Sequence, residues 1–442
     1  MSSLKKVQEY NTRNIALQYF SKISKNSDNK YVLDEIIKND KLINERDFSF
    51  VFNIVDGTYK NLIFLDYGID FLIKKNSKIP EIIRDILRIS IYQIYFMNSV
   101  PDSAAINEGV ELTKLYGHKG TVSLVNAVLR NFLRKKEEIL NSINSLDLNK
   151  KLSITYSYPQ WIIDYWLSFL SNEDVIKISE SMYNKAPLFI RVNTLKISIE
   201  EFINKLLEKN IEFFETEIKE IIKLKENINI KNIYGFNEGY FYVQDLSASM
   251  VIKYLNPKEN EFIIDFCAFP GGKTSYISQL MNNTGKVLAL DISEKRKVRF
   301  LENIERLGCK NIDLIIQSGE ESLKLNNMAD RILVDPPCSG LGVIKRKTDI
   351  KYTRKFDDLK RLSDIQFSIV ENASKYLKIN GLLVYSTCTI SKIENEDIIN
   401  KFLLNNPNFE IEFIDNKQYL NIYPYEKDSD GFFICVLKKI SN

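Results

Sequence analysis

The sequence predicts a chain in three parts, the last of which is an α/β domain built on a doubly wound, mostly parallel sheet. In residues 241–442, short apolar runs alternate with helical patterns, as they do in βαβ units. Residues 1–140 instead carry apolar side chains at helical spacing, which predicts an all-α domain. Residues 141–240 join a helical connector to mixed strand and helix patterns, which indicates a small α+β module. The length alone also favours two or three domains.

Local signals define the first two parts of the chain. Apolar residues recur at helical spacing over 82–94, Pro101 marks a helix start, and the turn at 117–120 precedes a further helix. His118, in that turn, is predicted to be a turn residue rather than a ligand. The α+β module has a strand pattern at 189–194 and a helix pattern at 198–209.

The third part alternates strands with helices. The predicted strands lie at 262–267, 287–290, 313–316, 331–334 and 382–385, and the clearest helices at 293–307 and 357–377. Parallel strands deliver their carboxyl ends to one edge of the sheet, and open sheets of this kind bind ligands there. The residues that follow the strands are therefore the first candidates for a functional site.

Composition excludes several classes of protein. The formal net charge is only +3, so the chain is not a polycation and any basic face must be local. Five cysteines without CxxC spacing and a single histidine argue against a disulfide framework and a metal site, and favour a reducing cytosol. Cys309 and Cys435 are interpreted as small buried hydrophobic residues. The N-terminal residues lack the apolar run of a signal peptide, and no stretch approaches the roughly 18 apolar residues of a membrane span. We expect a cytoplasmic monomer without a metal or a membrane segment.

A glycine-rich turn follows the first predicted strand of the α/β domain: Cys267-Ala268-Phe269-Pro270-Gly271-Gly272-Lys273. Glycines at a helix start let the backbone approach a ligand closely. A P-loop is disfavoured, because the Walker A motif places a further glycine where this chain has Cys267. The next strand ends in Asp291, about 20 residues later, where a carboxylate can accept hydrogen bonds from ribose hydroxyls. The two features predict a nucleoside-containing cofactor without choosing between NAD and S-adenosylmethionine.

Two cysteines stand at the ends of apolar runs. Cys338 follows the run at 331–334, three residues after Asp335, and Cys388 follows the run at 381–384. Two thiols and one carboxylate delivered to the same sheet edge suggest covalent catalysis rather than packing.

The chemistry that needs such a set is methylation of cytosine at carbon 5, which is a poor nucleophile. A thiolate that adds to carbon 6 makes carbon 5 enamine-like, so that it can attack a sulfonium methyl group. A carboxyl group that protonates or hydrogen-bonds ring N3 assists this addition. Afterwards the carbon 5 proton must leave and the thiol must be expelled, which a second acid–base group assists. Asp335, Cys338 and Cys388 provide this set, but the chemistry alone leaves open which thiol attacks.

At these motifs the chain resembles the RNA (cytosine-5)-methyltransferases, and more closely the Sun/Fmu family, which methylates 16S rRNA. The resemblance covers nearly the whole chain. Segments 100–108 and 124–131 are similar to a NusB-like RNA-binding domain, and 191–196, 244–250 and 430–433 to segments leading into and closing the catalytic domain. Segments 267–273, 335–340 and 386–389 resemble the cofactor, second-cysteine and nucleophile motifs.

The resemblance implies an architecture and a reaction. A NusB-like helical domain at 1–140 and a connector with a small α+β module at 141–240 would precede a Rossmann-like methyltransferase domain at 241–442. The methyl group would pass from S-adenosylmethionine to carbon 5 of a specific cytosine in 16S rRNA through a covalent cysteine–cytosine adduct.

The resemblance also assigns roles to residues. It implies that Cys388 is the nucleophile and that Cys338 assists release of the product. It implies that residues 267–273 and Asp291 hold S-adenosylmethionine, and that Asp335 lies between the cofactor and the base.

The chain departs from the family pattern at three places. Phe269 and Pro336 each stand where alanine is usual, and the first predicts a bulkier pocket wall. The third strand usually ends in an Asp near the adenine, whereas this chain has Gln317-Ser318-Gly319-Glu320. Either Glu320 substitutes from one position along, or the Ser318 hydroxyl or a backbone group serves.

Two basic segments are candidates for contact with RNA. The segment after Cys338 combines cations with aromatic residues, which suits a nucleic-acid backbone and splayed bases. Its members are Lys345, Arg346, Lys347, Lys351, Tyr352, Arg354, Lys355 and Phe356. The second run, Arg130, Arg134, Lys135 and Lys136, fits a plain solvated helix end equally well. The target cytosine would have to leave its stack to reach Cys388.

Two other functions remain open. Methyltransferases that act on exocyclic amines also use an Asp-Pro-Pro turn, usually followed by an aromatic residue where this chain has Cys338, and they need no thiol. A non-catalytic RNA-binding or assembly factor built on the N-terminal helices would bind no S-adenosylmethionine. The complete set of two thiols and Asp335 favours the enzyme that acts at carbon 5.

Overall fold

A computed structural model of the chain describes residues 11–25, 45–74, 78–225, 228–325 and 328–441. The chain divides into two compact units, one formed by Met1–Glu180 with Lys347–Thr353 and the other by Ser181–Arg346 with Arg354–Asn442. The portions of the predicted N-terminal helical domain at 1–10, 26–44 and 75–77 lie outside the described residues.

In its described residues the first unit consists of helices and the turns that join them, without strands. Its helices are α1 Thr12–Lys25, α2 Glu45–Lys60, α3 Leu62–Leu72, α4 Glu81–Phe96, α5 Asp102–Tyr116, α6 Lys119–Arg134, α7 Lys136–Asn144, α8 Leu148–Thr155, α9 Gln160–Leu167 and α10 Asn172–Tyr183, the last of which crosses the unit boundary. The predicted helix start at Pro101 and the helix after the 117–120 turn are confirmed. His118 is a turn residue as predicted, since its Nδ1 accepts a hydrogen bond from the backbone N–H of Gly120 at the start of α6.

Helix α4 shows why this sequence folds as a helical layer. Ile83, Ile86 and Leu87 recur on one face and are buried in the core of the unit. Asp85 is also buried, and its carboxylate receives the Arg88 guanidinium at 2.8 Å. The charged pair is therefore neutralised inside the core rather than left unpaired.

The second unit begins with a small antiparallel sheet. It contains β1 Leu188–Val192, α11 Ile199–Glu208, β2 Phe213–Glu215, β3 Ile221–Leu224 and β4 Phe241–Val243, in the strand order β2-β3-β1-β4. The predicted strand at 189–194 ends two residues early. Asn193 follows the strand, and its side chain donates to the carbonyls of Gly239 and Leu307.

The rest of the second unit is the predicted α/β domain. Its elements are α12 Leu246–Leu255, β5 Phe262–Phe266, α13 Gly272–Leu280, β6 Lys286–Asp291, α14 Glu294–Leu307, β7 Ile312–Ile316, β8 Ala329–Val334, α15 Ile350–Thr353 (within the segment assigned to the first unit), α16 Phe356–Ser374, β9 Leu377–Thr387, α17 Glu396–Asn405, β10 Phe409–Glu412, β11 Leu420–Ile422, α18 Pro424–Lys427 and β12 Phe432–Lys439.

The large sheet has eight described strands in the order β10-β12-β9-β8-β5-β6-β7, with β11 also paired to β12. Strands β5 to β9 pair in parallel, and β12 pairs antiparallel with β9 on one side and with β10 and β11 on the other. The mostly parallel, doubly wound sheet is thus confirmed. The helix predicted at 357–377 ends early, because Leu377 instead pairs with Ala329 at the start of β9.

Side chains on the two faces of the sheet enter different cores. Ile263 of β5 packs with α12 and α13 residues, whereas the next residue, Ile264, packs with α16 residues. Both faces are therefore covered, which explains why these strands are continuous apolar runs. None of the helices in the described ranges is long and apolar enough to cross a bilayer.

Candidate active site

The glycine-rich turn lies between β5 and the first residue of α13. Gly271 has a φ of 97°, and Cys267 has a φ of 64°, a left-handed conformation that is unfavourable for residues with a side chain. A Cβ added at Gly271 would lie 2.9 Å from the Phe300 ring, and one added at Gly272 would lie 2.9 Å from the Tyr242 ring. The two glycines are therefore required by close packing on both sides of the turn.

Phe269, the departure within this turn, is largely buried. Its ring lies 4.8 Å from that of Phe300 in a cluster that also contains Ala289 and Ile304. The added volume therefore lies between the turn and α14. The backbone N–H of Phe269 donates to Asp291 at 3.1 Å, which ties the turn to the end of β6.

Asp291 is almost fully buried at the end of β6. Its other oxygen, Oδ1, accepts from the backbone N–H of Ser293 at 2.9 Å and from Arg296 at 3.3 Å. The carboxylate is held rigidly at the carboxyl edge of the sheet, where the sequence predicted it.

Asp265 is a second buried acid at this edge. Burial raises the pKa of Asp265 to about 7; a hydrogen bond from Thr274, 2.6 Å long, opposes the shift, and the charges of Asp335 and Asp291 add to it. The three carboxyl groups therefore face a common region in front of β5, β6 and β8.

Lys273 and Asp335 form an ion pair between the turn and the β8 loop. Their Nζ and Oδ2 atoms are 2.6 Å apart, and Asp335 Oδ1 accepts from the Ser386 hydroxyl at 2.9 Å. Burial opposes the charge on Lys273, but Asp335 outweighs burial and raises the pKa of the lysine above its ordinary value. The Lys273 ammonium also lies 5.2 Å from the centre of the Phe432 ring.

The two predicted thiols meet. Cys338 Sγ lies 3.3 Å from Cys388 Sγ, and both residues are half-buried. They come together because β8 and β9 are parallel neighbours, with Val334 opposite Tyr385. The pKa of Cys338 is well above its ordinary value, first because of the hydrogen bond with Cys388 and then because of burial.

The remaining predicted contact, at the third strand, follows β7. Ser318 is half-buried and its hydroxyl accepts from the backbone N–H of Glu320 at 3.3 Å, while Glu320 itself is exposed. Gly319 packs against Ile369 and Phe266. Because glycine has no side chain, only its neighbours Ser318 and Glu320 can offer one to a ligand. Which of Ser318 and Glu320 faces an adenine stays a prediction.

The other thiols lie apart from the pair. Burial raises the pKa of Cys267, Cys309 and Cys435 above that of an ordinary thiol. Cys435 is fully buried within β12, and Cys309 packs against the cluster that contains Phe269 and Phe300. Such thiols are poor nucleophiles at neutral pH.

The predicted RNA contact of the segment after Cys338 is wrong for two of its six cations, Lys345 and Lys351, which are buried. Lys345 is buried against Asp428, and Arg346 pairs with Asp245 and Asp430. Within the first unit, the ammonium of Lys351 is buried and donates to the backbone carbonyls of Lys60 and Tyr156. These charges hold the loop in place. Lys347, Lys355 and Phe356 are exposed.

In the basic run at the end of α6, Arg130, Arg134 and Lys135 are exposed, whereas Lys136, at the start of α7, is half-buried. Arg130 and Arg134 donate to Asn126 and Asn131 on their own helix, and Lys135 pairs with Glu138. These local contacts leave the charges at the surface, where they are open to solvent or to a polyanion.

Two polar residues near the thiols were missed by sequence reasoning. Glu394 and Asn395 are buried and contact the residues that flank both cysteines. They lie six and seven residues after Cys388 in a polar stretch. Only a sign that a charged residue there is buried could have singled them out. No such burial can be read from the local pattern.

The residues at the sheet edge fit a nucleoside cofactor that carries a positive charge. Three carboxyl groups face one region, where Lys273 is paired with Asp335 and the exposed Arg296 lies 3.3 Å from Asp291. The start of α13 offers backbone N–H groups to an anionic group of the same ligand. Among the described residues, no group of three or more His, Cys, Asp or Glu side chains is arranged to hold a metal ion.

Three family models match successive parts of the chain. The model described as 16S rRNA methyltransferase RsmB/F matches residues 252–438, and the NusB family model matches residues 10–134. A model of the ferredoxin-like domain of RsmF/B-like methyltransferases matches residues 158–231.

Individual proteins show the same similarity. A protein of Bacillus subtilis strain 168 named probable ribosomal RNA small subunit methyltransferase B is 35% identical, over 98% of this chain and 100% of its own length. Ribosomal RNA small subunit methyltransferase B of Vibrio vulnificus strain YJ016 is 32% identical, over 90% of this chain and 92% of its own. The crystal structure of a methyltransferase homologue from Pyrococcus horikoshii is 32% identical, covers 65% of this chain and 98% of its own, and superposes with a TM-score of 0.60.

Proposed function

The chain belongs to the 16S rRNA methyltransferase RsmB/F family, and on that premise we propose that it methylates carbon 5 of a cytosine in 16S rRNA through a covalent bond between Cys388 and carbon 6. The observation that supports this best is the contact between Cys338 and Cys388, 3.3 Å apart at the sheet edge. Methylation of an exocyclic amine needs neither thiol, whereas addition to the cytosine ring and release from it use one each.

S-adenosylmethionine supplies an electrophilic methyl group when it is bound. The turn at 267–273 and Asp291 would hold it, with Ser318 or Glu320 near the adenine and Asp335 between cofactor and base. The buried carboxylates would balance the positive charge of the sulfonium and accept hydrogen bonds from the ribose.

Attack on the base requires a negatively charged sulfur on Cys388. Because the pKa of Cys338 is raised, its thiol stays protonated and can donate to the neighbouring sulfur, which favours a thiolate there. As the sulfur electron pair forms the bond to carbon 6, negative charge develops at ring N3. Asp335 is the group we assign to N3, to which its carboxyl group would donate a proton, and the Lys273 ammonium 2.6 Å away holds that carboxyl group in place.

Release reverses the addition. Once Cys388 is bonded to carbon, the main cause of the raised pKa of Cys338 is removed, so that Cys338 loses its proton to solvent more readily. Its thiolate then takes the proton from carbon 5. The C–H electron pair forms the carbon 5–carbon 6 double bond, and the electron pair of the C–S bond returns to Cys388.

The substrate would be a cytosine that has left its stack, because carbon 6 of a stacked base is out of reach of a thiol at a sheet edge. We assign docking of the surrounding RNA to the NusB-like helices of residues 1–140, where Arg130 and Arg134 are exposed. Residues 141–240 would join them to the catalytic part, residues 241–442.

Two measurements test the proposal. Bisulfite sequencing of 16S rRNA from cells with and without this protein should reveal one cytosine that is protected only when the protein is present. The Cys388→Ala variant should bind S-adenosylmethionine in calorimetry yet transfer no methyl group to RNA, whereas Cys309→Ala, as a matched thiol control, should remain active. Methylation by Cys388→Ala would overturn the covalent mechanism and favour an exocyclic amine as the target.

A further inference from the structure

A buried carboxylate behind the thiols has no part in the steps above. Glu394 ends the short 3-10 helix Lys392–Glu394 and is fully buried. Its Oε1 accepts from the backbone N–H of Ser339 at 2.8 Å and from Gln366 Nε2 at 3.0 Å, and its Oε2 accepts from the Ser339 hydroxyl. Burial raises the pKa of Glu394 above its ordinary value, and hydrogen bonds from Ser339, Gln366 and Ser391 oppose this shift only in part.

These donors fix the main chain on both sides of Cys338. Ser339 follows the cysteine directly. Pro337 directly precedes Cys338, and its carbonyl accepts a hydrogen bond from Gln366 at 2.9 Å. Glu394 and Gln366 thus determine where the Cys338 loop lies above the sheet.

The adjacent residue, Asn395, does the same for Cys388. Its side-chain oxygen accepts from the Thr387 hydroxyl, and its Nδ2 donates to the carbonyl of Thr389 at 3.0 Å. Thr387 and Thr389 are the two neighbours of the cysteine in the chain. Asn395 is itself buried, so this contact is shielded from competing water.

A direct bond joins the two sets of contacts. The hydroxyls of Ser339 and Thr389, each one residue after a cysteine, lie 2.7 Å apart, and Thr389 Oγ1 also accepts from the backbone N–H of Leu341 at 3.2 Å. The two loops are therefore bonded to one another, and each is also bonded to one of two adjacent side chains, Glu394 or Asn395.

We propose that Glu394 and Asn395 are positioning residues that hold the flanks of Cys338 and Cys388 so that the two sulfur atoms stay in contact. The catalytic consequence rests on the proposed function, but the geometric claim does not. Neither side chain touches the reacting atoms; each acts through the main chain next to a thiol. A displacement of about 1 Å between reacting groups can lower a rate a hundredfold, which gives such a clamp a measurable effect.

Kinetics provide the first test. Glu394→Ala should lower kcat for RNA methylation by about a hundredfold while the affinity for S-adenosylmethionine stays within about twofold. Glu394→Gln keeps an oxygen for the Ser339 N–H and should restore most of the lost rate. Thr389→Val, which removes only the link between the loops at nearly constant volume, should lower kcat in the same direction.

A matched control lies two residues further along. Glu396 is also a partly buried glutamate, but its side chain accepts from Asn421 at 2.9 Å and, within the described part of the chain, contacts neither flank of Cys338 or Cys388. Glu396→Ala should therefore leave kcat within about twofold of the unmodified protein.

A second test measures the geometry without any methyl transfer. Diamide accepts two electrons and two protons from a pair of thiols and leaves a disulfide, so its reaction rate with Cys338 and Cys388 reports how often the two sulfur atoms meet. The disulfide is identified by peptide mapping as a mass lower by two hydrogen atoms. Closure should be about tenfold slower in Glu394→Ala and Thr389→Val than in the unmodified chain or Glu396→Ala.

The outcomes separate the clamp from the reaction. Closure at an unchanged rate in both Glu394→Ala and Thr389→Val would overturn the clamp, even if methylation were lost. Slower closure supports the clamp even if the unmodified protein proves to methylate a different atom, in which case only the proposed function fails. If Glu394→Gln were as inactive as Glu394→Ala while closing normally, the charge of Glu394 would matter rather than its position, and the proposal would be wrong.

Discussion

The sulfur atoms of Cys338 and Cys388 lie 3.3 Å apart, although they reach this contact from loops that follow two different strands. The pKa of Cys338 is raised by the hydrogen bond with Cys388 and by burial, which favours the protonated thiol on Cys338. The pair can then divide attack and release between its two members.

The first prediction concerns release. In Cys338→Ala, Cys388 can still add to the base, but no thiol remains to take the carbon 5 proton, so the covalent protein–RNA adduct should accumulate. It would be seen as a band of reduced mobility on a denaturing gel after incubation with RNA and S-adenosylmethionine. Cys435→Ala, in which the altered thiol is buried within β12, serves as the control and should give no such band. Absence of the adduct in Cys338→Ala would contradict the role of Cys338.

A second prediction concerns the ion pair that supports Asp335. Lys273→Met keeps an apolar stem near Phe432 but leaves the carboxylate without its counter-ion at a mostly buried site. The free energy of unfolding should fall by about 2 kcal/mol, since breaking one side of a buried pair leaves a charge uncompensated. Methyl transfer should fall by at least about tenfold, because Asp335 loses the contact that holds its carboxyl group in position.

The control for this variant is an ion pair of similar length on the surface. Lys286 lies 2.8 Å from Asp313, with both side chains more than half exposed. Lys286→Met should change the free energy of unfolding by less than about 1 kcal/mol and leave methyl transfer intact. Urea unfolding and a tritium-transfer assay compare the two variants, and equal effects would argue against a special role for Lys273.

Much of the fold and the site could be predicted from sequence, because the relevant signals are local. Each parallel strand is an apolar run that ends at a polar residue, and residues with catalytic side chains such as Asp291, Asp335 and Cys388 lie at or just after those ends. Because parallel strands place their carboxyl ends at one edge of the sheet, these residues are expected to lie near one another. For this reason the sequence alone predicts that the two thiols lie at the same edge of the sheet.

The unpredicted features depend on partners far away in the chain. Lys345 and Lys351 look like an RNA-binding surface in sequence, yet one meets Asp428 and the other meets backbone carbonyls contributed by Lys60 and Tyr156. Charge patterning reports that a segment is basic but not whether its cations face solvent. Glu394 was missed for the same reason, since its donors belong to other loops.

A third prediction follows from the buried acid Asp265. Its pKa of about 7 in the folded chain exceeds the value of about 4 expected in the unfolded chain, so between these values the folded state holds a proton that the unfolded state releases. Stability is therefore lost as the pH rises through this window and changes no further above it. Between about pH 5 and 7 the contribution of Asp265 should decline by about 1 kcal/mol per pH unit.

The variant that isolates this effect is Asp265→Asn, which keeps an oxygen for the Thr274 hydroxyl but does not ionise. Urea unfolding of both proteins across this pH range measures the effect. The free energy of unfolding of the variant should rise relative to that of the unmodified chain up to neutral pH, and the difference should be constant above it. Parallel curves for the two proteins would show that Asp265 does not titrate in this range.

The last prediction concerns Arg191, in the segment that leads toward the catalytic domain. Its guanidinium is buried between the rings of Tyr242 and Tyr276, and burial lowers its pKa to about 10, so it stays charged at neutral pH. It donates to the carbonyl of Gly272 at 2.6 Å and to the Ser275 hydroxyl at 2.8 Å. Arg191 thus fixes the first turn of α13, the helix that begins at the glycine-rich turn.

A lysine at this position keeps the charge but cannot reproduce the planar fork that reaches both acceptors. Arg191→Lys should therefore lower the free energy of unfolding by about 2 kcal/mol and weaken binding of S-adenosylmethionine by about tenfold, as the start of α13 loses its anchor. Arg299→Lys, on the exposed face of α14, is the matched control and should change neither quantity. Calorimetry separates two readings of the result. A loss of stability with unchanged cofactor affinity would make Arg191 a packing residue only, whereas a loss of both ties the small antiparallel sheet to the geometry of the cofactor turn.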